Sequence, residues 1–199
     1  MKSLRWLLFC LLASCSVSNQ EEAEEQQSAA TDTVAWAERP ELPKERVIKK
    51  ITRTHFFSNR ISPDLFRLQL VGDSVLSGTF HLSIVSAAGT RLWDDEFPAA
   101  AFLDDKLSAA AADPPTVAQR EAYVLRRMSK VFDKQHFKDP GVRKHDTFEP
   151  GLDSNEAVWL EVQSQHLISF TYCQYAEVCK TIAYIPQRRK VMLFEACCE

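Results

Sequence analysis

Glycine is scarce in this chain, with five residues in 199. That scarcity excludes a glycine-rich phosphate cradle of the P-loop or dinucleotide-binding kind. Neither H-E-x-x-H nor G-x-S-x-G occurs, so a zincin helix and a nucleophile elbow are both missing. Long apolar runs are lacking too. The best one, Trp6 to Ala13, spans roughly 12 Å as a helix, far short of the ~30 Å hydrocarbon core. Charge of one sign is not in excess: 24 Lys and Arg stand against 27 Asp and Glu. With no aromatic platform interleaved among the basic residues, nucleic acid is not an expected partner. At 45% apolar and 26% charged residues, the composition is that of an ordinary globular chain, neither collagen-like nor disordered throughout.

The N-terminus carries the most specific pattern. Lys2 and Arg5 precede the apolar run, and Ser14 and Cys15 follow it, the layout of an export signal. The string Leu12-Ala13-Ser14-Cys15 resembles the lipobox of bacterial lipoproteins. That resemblance implies cleavage after Ser14 and makes Cys15 the first mature residue, with diacylglycerol on its sulfur and an acyl chain on its nitrogen. Several chains are needed for a lasting anchor, because one gives only marginal binding at ~0.8 kcal/mol per buried methylene. The resemblance covers residues 1 to 16 and concerns only the membrane partner. Ser16 is similar to the pattern sent on to the outer membrane, and the acidic run Glu21 to Glu25 is similar to a surface-export signal. The expected location is the cell envelope, as an outer-membrane lipoprotein on the periplasmic side or the cell surface.

Behind Cys15 the chain to Arg46 is rich in Glu, Gln, Ser and Ala, contains Pro40 and Pro43, and has no sustained apolar period. Such a segment buries too little surface to offset its ordering entropy. It reads as a flexible acidic tether with a root-mean-square reach of about 30 Å. Without the signal the chain has 22 basic and 27 acidic side chains, and the excess lies in this tether. The expected organisation is therefore a signal at 1–14, anchor and tether at 15–46, and one domain at 47–199, a length typical of a single domain.

Inside that domain the first half alternates. Phe66, Leu68 and Leu70 are separated by Arg67 and Gln69; Phe80, Leu82 and Ile84 by His81 and Ser83. A period of two is the mark of a sheet with one buried face. Turns at Gly72-Asp73-Ser74 and Ala88-Gly89-Thr90 join these runs to each other and to a strand near Arg91 to Phe97, and an earlier strand covers Val47 to Phe57. Seven alanines in 98 to 112 favour a short helix and connector. Thr116 and Gln119 form a capping box that opens a helix of about twenty residues, closed by Asp139-Pro140-Gly141. Ala118, Leu125, Met128 and Phe132, flanked by Val124 and Val131, give it one apolar stripe. Alternation then returns at Val158 and Leu160, at Ile168, Phe170 and Tyr172, at Ile182 and Tyr184, and at Val191 and Leu193. The predicted fold is α+β, with about four plus four antiparallel strands flanking one long amphipathic helix.

Four cysteines, Cys173, Cys179, Cys197 and Cys198, fall in the last 27 residues. In an oxidising compartment four cysteines allow three ways of forming two disulfides. If Cys173 faces Cys179 across a tight loop, Tyr172 pairs with Lys180 and Phe170 with Ile182, which keeps aromatic and branched side chains on one face. A following hairpin that pairs Tyr184 with Val191 and Lys180 with Glu195 brings Cys197 and Cys198 near Cys179. Cys173–Cys179 is thus the preferred bond. Cys197 and Cys198 remain open as a vicinal pair, as thiols, or as members of another connectivity. The same sulfurs also compose a soft site for copper(I) or zinc, although no compact C-x-x-C spacing is present.

Other chemistry is weaker. His166 lies seven residues from Cys173, on the opposite face of a regular strand, and so is a poor base for that thiol. His136, Asp139, His145 and Asp146 follow the helix without a tight ligand spacing and read as surface residues, as do His55 and His81 on polar strand faces. Arg120, Arg126, Arg127, Lys130 and Lys134 read as a solvated helix face. No catalytic residue, metal or cofactor is assigned. The expected function is a lipid-anchored envelope module that binds a ligand or an envelope protein without catalysis, the alternative being a thiol-based metal or redox protein.

Overall fold

Alternation of apolar and polar side chains builds the first four strands. The computed structural model describes residues 46–104, 107, 115–151, 153–175 and 178–198. The expected signal, Cys15, the tether up to residue 45 and Ala109 to Ala112 lie outside them. In order along the chain, β1 (Val47–His55), β2 (Asp64–Val71), β3 (Thr79–Val85) and β4 (Arg91–Pro98) form one antiparallel meander, β1-β2-β3-β4. Phe66 pairs with Ile84, Leu68 with Leu82 and Leu70 with Phe80, and all six are buried. The opposite face carries Arg67, Gln69 and His81, with His81 Nδ1 2.9 Å from Glu96 Oε1. The β2–β3 connection needs two glycines. Gly72 has φ +134°, and a Cβ on Gly78 would stand 2.8 Å from the Val71 carbonyl oxygen, closer than side chains pack.

A 3₁₀ turn, Ala99–Phe102, leads towards α1 (Val117–Lys130). The capping box is formed: Gln119 N donates to Thr116 Oγ1 (3.3 Å) and Thr116 N donates to Gln119 Oε1 (2.8 Å). The helix stops at Lys130, well before Asp139. The chain turns through a second 3₁₀ segment, Lys134–His136, into a two-residue strand, β5 (Phe137–Lys138). The reason is aromatic packing. Phe132 and Phe137 both contact Phe66 and Phe170, whereas on a continuing helix five positions rotate a side chain by roughly 140°. Val124 and Met128 are fully buried, while Ala118, counted in the predicted stripe, is exposed.

The strand expected at Val158 and Leu160 is instead a second helix, α2 (Glu156–Gln165), capped by Asn155, whose side chain accepts from Val158 N. Val158, Trp159 and Val162 are buried and Leu160 is half exposed. Neighbours two apart share a strand face but sit on opposite sides of a helix. The Val158–Leu160 alternation was therefore half of a helical pattern.

β5, β6 (Ser169–Cys173), β7 (Val178–Ile185) and β8 (Lys190–Cys198) form the second antiparallel sheet in that order. Cys173 is opposite Cys179, Tyr172 opposite Lys180 and Phe170 opposite Ile182, the predicted register. Tyr184 pairs with Val191 and Ile182 with Leu193, but a bulge between Thr181 and Ile182 moves Lys180 onto Ala196 rather than Glu195. Gly141 does not stop a helix. It presses on the start of β6, where a Cβ would lie 2.9 Å from the Leu167 carbonyl oxygen.

All of these elements belong to one compact unit, Leu42–Glu199. The inner faces of the two sheets share a core in which Phe66 meets Phe170 edge-on at 5.2 Å and α1 inserts Val124 and Met128. On the outer face of the second sheet, Val158, Trp159 and Val162 of α2 cover Ala183, Ile185 and Phe194. Each fully buried large apolar side chain contributes about 1.5–3 kcal/mol. The architecture is α+β and mostly sheet: two four-stranded antiparallel sheets and two α-helices among the described residues.

Candidate functional site

β6 is covered on one side by β7 along its length, but β5 reaches only Phe170 and Ser169 on the other. Beyond Phe170 that edge is left to α1 and the turn after it. There a cleft of about 190 Å³ opens, lined by Phe102, Arg127, Lys130, Val131, Gln135, His136, Tyr172 and Cys173. Its floor is aromatic and aliphatic. Its lining holds two permanent cations and no carboxylate, so it favours a molecule with an anionic group and an apolar body.

Each side chain is placed by the fold. Arg127 lies one helical position before buried Met128 and turns inward: Nη1 donates to the Phe102 carbonyl at 2.9 Å, and the guanidinium sits 5.0 Å over the Phe102 ring. That is a cation–π contact, and it corrects the expectation that the whole basic face of the helix is solvated. Lys130 is in the last turn of α1 and exposed. His136, half-buried, has its pKa lowered, chiefly by desolvation, against a hydrogen bond to the Thr171 backbone and the charge of Asp133, which raise it; Arg127 lowers it further.

Tyr172 connects this cleft to a polar node between the sheets. Its hydroxyl donates to Asp95 Oδ2 at 2.6 Å, and the same oxygen accepts from Gln174 Nε2 at 2.7 Å and Lys180 Nζ at 2.8 Å. Trp93 Nε1 donates to the Tyr172 hydroxyl at 3.2 Å. Burial, followed by the hydrogen bond and charge of Asp95, pushes the phenol pKa far up, so Tyr172 is a neutral donor. The node fixes a cleft wall; it supplies no activated nucleophile. In the sequence Tyr172 and Lys180 stand out only as register partners, and the node itself leaves no spacing pattern. The available signal was Asp95, a charge at the inward position between Trp93 and Phe97.

Cys173 and Cys179 form a disulfide. Cys179 is buried and Cys173 half-buried. Cys197 and Cys198 occupy the end of β8, opposite Cys179 and Val178. His166 is the left-handed C-cap of α2 (φ 53°). The other histidine and aspartate candidates do not converge. Asp139 accepts both terminal nitrogens of Arg60 at 2.9 and 3.1 Å, and Asp146 Oδ2 accepts the Arg143 backbone N–H at 2.8 Å. Among the described residues no group of three or more His, Cys, Asp or Glu is placed to hold a metal ion. His55 is not on a polar face. It stacks on Phe137 at 3.7 Å, and Nε2 lies 3.1 Å from the Phe132 carbonyl. Its pKa is lowered, desolvation being the main cause.

No helix among the described residues is long and apolar enough to cross a membrane. Comparison with known proteins returns no matching family, no similar curated protein and no similar solved structure.

Proposed function

We propose that this chain is a lipid-anchored cell-envelope protein whose globular part binds an anionic, partly apolar ligand or a partner's acidic side chain in the cleft beside β6, without catalysis. Residues 1–14 act as the signal, Cys15 as the acylated anchor, residues 15–46 as the tether and 47–199 as the binding domain, in the outer membrane. The lipobox resemblance supports the anchor. The observation that carries the binding reading is the cleft: Arg127 and Lys130 stand beside Phe102, Val131 and Tyr172 with no carboxylate among the lining residues. The expected outcome of titration with the anionic aromatic probe 1-anilinonaphthalene-8-sulfonate is saturable fluorescence that falls about tenfold in affinity in Lys130→Glu, the ~1.4 kcal/mol of one charge-assisted contact. Unchanged affinity sinks the binding reading. Mass spectrometry of protein from membranes tests the anchor, which fails if Met1 is retained and Cys15 is unmodified.

A further inference from the structure

The β1–β2 loop, residues 56–63, and the β7–β8 turn, residues 186–189, meet at one end of the two sheets. They border a groove of about 200 Å³ whose lining includes Phe57, Arg60, Leu167, Ile168, Tyr184 and Pro186. Ser86, Ala87 and Ala88 of the β3–β4 turn lie beside the same loop and carry no charge. The loop is pinned at three points. Asp64 accepts the Ser58 backbone N–H at 2.6 Å and its hydroxyl at 2.7 Å. Arg60 donates to Asp139 and to the His166 carbonyl, and Asn59 Oδ1 accepts the Ile61 N–H at 2.7 Å. Yet this loop presents Ile61 at 87% and Phe56 at 50% exposure. One apolar side chain on a surface is ordinary; two held out on a pinned loop beside a cationic turn form a pattern. On that turn Arg188, Arg189 and Lys190 are consecutive and exposed. Arg188 pairs with Glu161, while Arg189 and Lys190 have no ion pair among the described residues. Arg189 has φ 52°, a left-handed position that glycine fills with least strain, so the turn keeps a cation where its backbone disfavours one.

We propose that this end of the domain docks on the surface of an anionic phospholipid bilayer, with Ile61 and Phe56 entering the interfacial layer and Arg189 and Lys190 meeting headgroup phosphates. Charge identifies the occupant. Arg60 and Arg188 are matched by Asp139 and Glu161, Arg91 is matched by Asp94, and Asp64 is buried under the loop. Arg189 and Lys190 are left to face outward, and each basic residue near an anionic bilayer strengthens binding about fivefold. Shape agrees with charge. A folded protein partner covers a contiguous patch with a complementary surface, whereas Ile61 and Phe56 stand among Ser58, Asn59 and Ser62. Acyl chains close around single apolar side chains and need no matching pocket. This end shares no lining residue with the cleft beside β6, and the contact does not depend on acylation of Cys15.

The test takes the mature chain, residues 15–199, with Cys15→Ser so that no acyl chain carries the binding. It is co-sedimented with vesicles of equal parts phosphatidylglycerol and phosphatidylcholine, or of phosphatidylcholine alone. The expected result is saturable binding to the anionic vesicles, about tenfold or more weaker with phosphatidylcholine. Ile61→Asp should weaken it about fivefold or more, and Arg189→Glu/Lys190→Glu about twentyfold or more. Arg46→Glu/Lys50→Glu makes the same charge change at the opposite end of β1 and should weaken it less than about threefold, because salt screens distant charge. All the substituted side chains are exposed. Absence of binding, equal binding to the two vesicles, unchanged affinity in either variant of this end, or an equal loss in Arg46→Glu/Lys50→Glu overturns the proposal. The probe titration of the cleft and the mass of the natural N-terminus are separate measurements, so the three readings fail independently.

Discussion

The two sheets have the same strand number and the same antiparallel order, yet they are held in different ways. The first packs one face into the core; its other face carries Arg67, Gln69 and His81, all half-buried. The second is covered on both faces. Phe170, Tyr172 and Ile182 enter the shared core, and Ala183, Ile185 and Phe194 lie under α2. Both sheets enclose polar side chains, Asp64 and Ser83 in the first and Ser169 and Thr181 in the second, and in the second the Thr171 and Thr181 hydroxyls lie 3.0 Å apart. The second sheet also takes the disulfide and two of the four side chains of the Asp95–Tyr172–Lys180–Gln174 node, Tyr172 and Lys180, with Gln174 in the turn between β6 and β7. The difference teaches where adaptation is tolerated. The first sheet is a platform with a replaceable outer face. The second is fixed from both sides, and the cleft lies at the end of β6, where β5 no longer covers it.

Charge introduced on the two outer faces should separate them most strongly. Ala183→Asp buries a carboxylate under α2 and should cost more than about 3 kcal/mol, whereas Gln69→Lys should stay within about 0.5 kcal/mol; urea melts of the two variants make the comparison. A similar cost for both would break it. Next is the node. Asp95→Ala leaves Lys180, Tyr172 and Gln174 without their common acceptor, and a loss of about 2–3 kcal/mol is expected. Asp139→Ala, which breaks the exposed pair with Arg60, should lose less than about 1 kcal/mol.

Opening the disulfide ranks third. The double variant Cys173→Ser/Cys179→Ser should lose about 2 kcal/mol, the low end of the usual range because the closed loop is short; denaturation midpoints measured alongside the wild type show it. The smallest effect is on pH. His55 and His136 have folded pKa values below the ordinary 6.5, so the unfolded chain binds protons first as pH falls. Their contribution is complete above pH 6.5 and is lost as pH drops through the folded values. Thermal melts should decline on acidification below that point, and the decline should be shallower in His55→Gln/His136→Gln. An identical slope in both proteins removes these histidines as its cause.

The same contrast explains what could be read from the sequence. Phe66, Leu68 and Leu70 alternate with polar residues because their sheet has one dry face, so strand and register were visible together. In the second half Phe170 and Tyr172 still alternate with Ser169 and Thr171, although Ser169 is buried as well. Tight-loop register places Cys173 opposite Cys179, yet local alternation puts a strand at Val158 and Leu160, whereas the fourth strand of this sheet is the two residues Phe137 and Lys138. The capping box at Thr116 and Gln119 located the start of α1, but its end is set by Phe132 and Phe137 reaching for Phe66 and Phe170, a tertiary demand with no local signal. Of the cleft, the sequence offered Arg127, Lys130 and Cys173 as separate features. What unites them is the open edge of β6, which depends on the shortness of β5.

Amide chemical-shift mapping of the isotope-labelled mature protein with 1-anilinonaphthalene-8-sulfonate tests the binding reading most directly. Saturable shifts centred on Lys130, Gln135, His136, Tyr172 and Cys173, lost in Lys130→Glu, are the predicted result. Shifts centred instead on the polar loop around Arg143 to Glu149, or no saturable shifts at all, would contradict it.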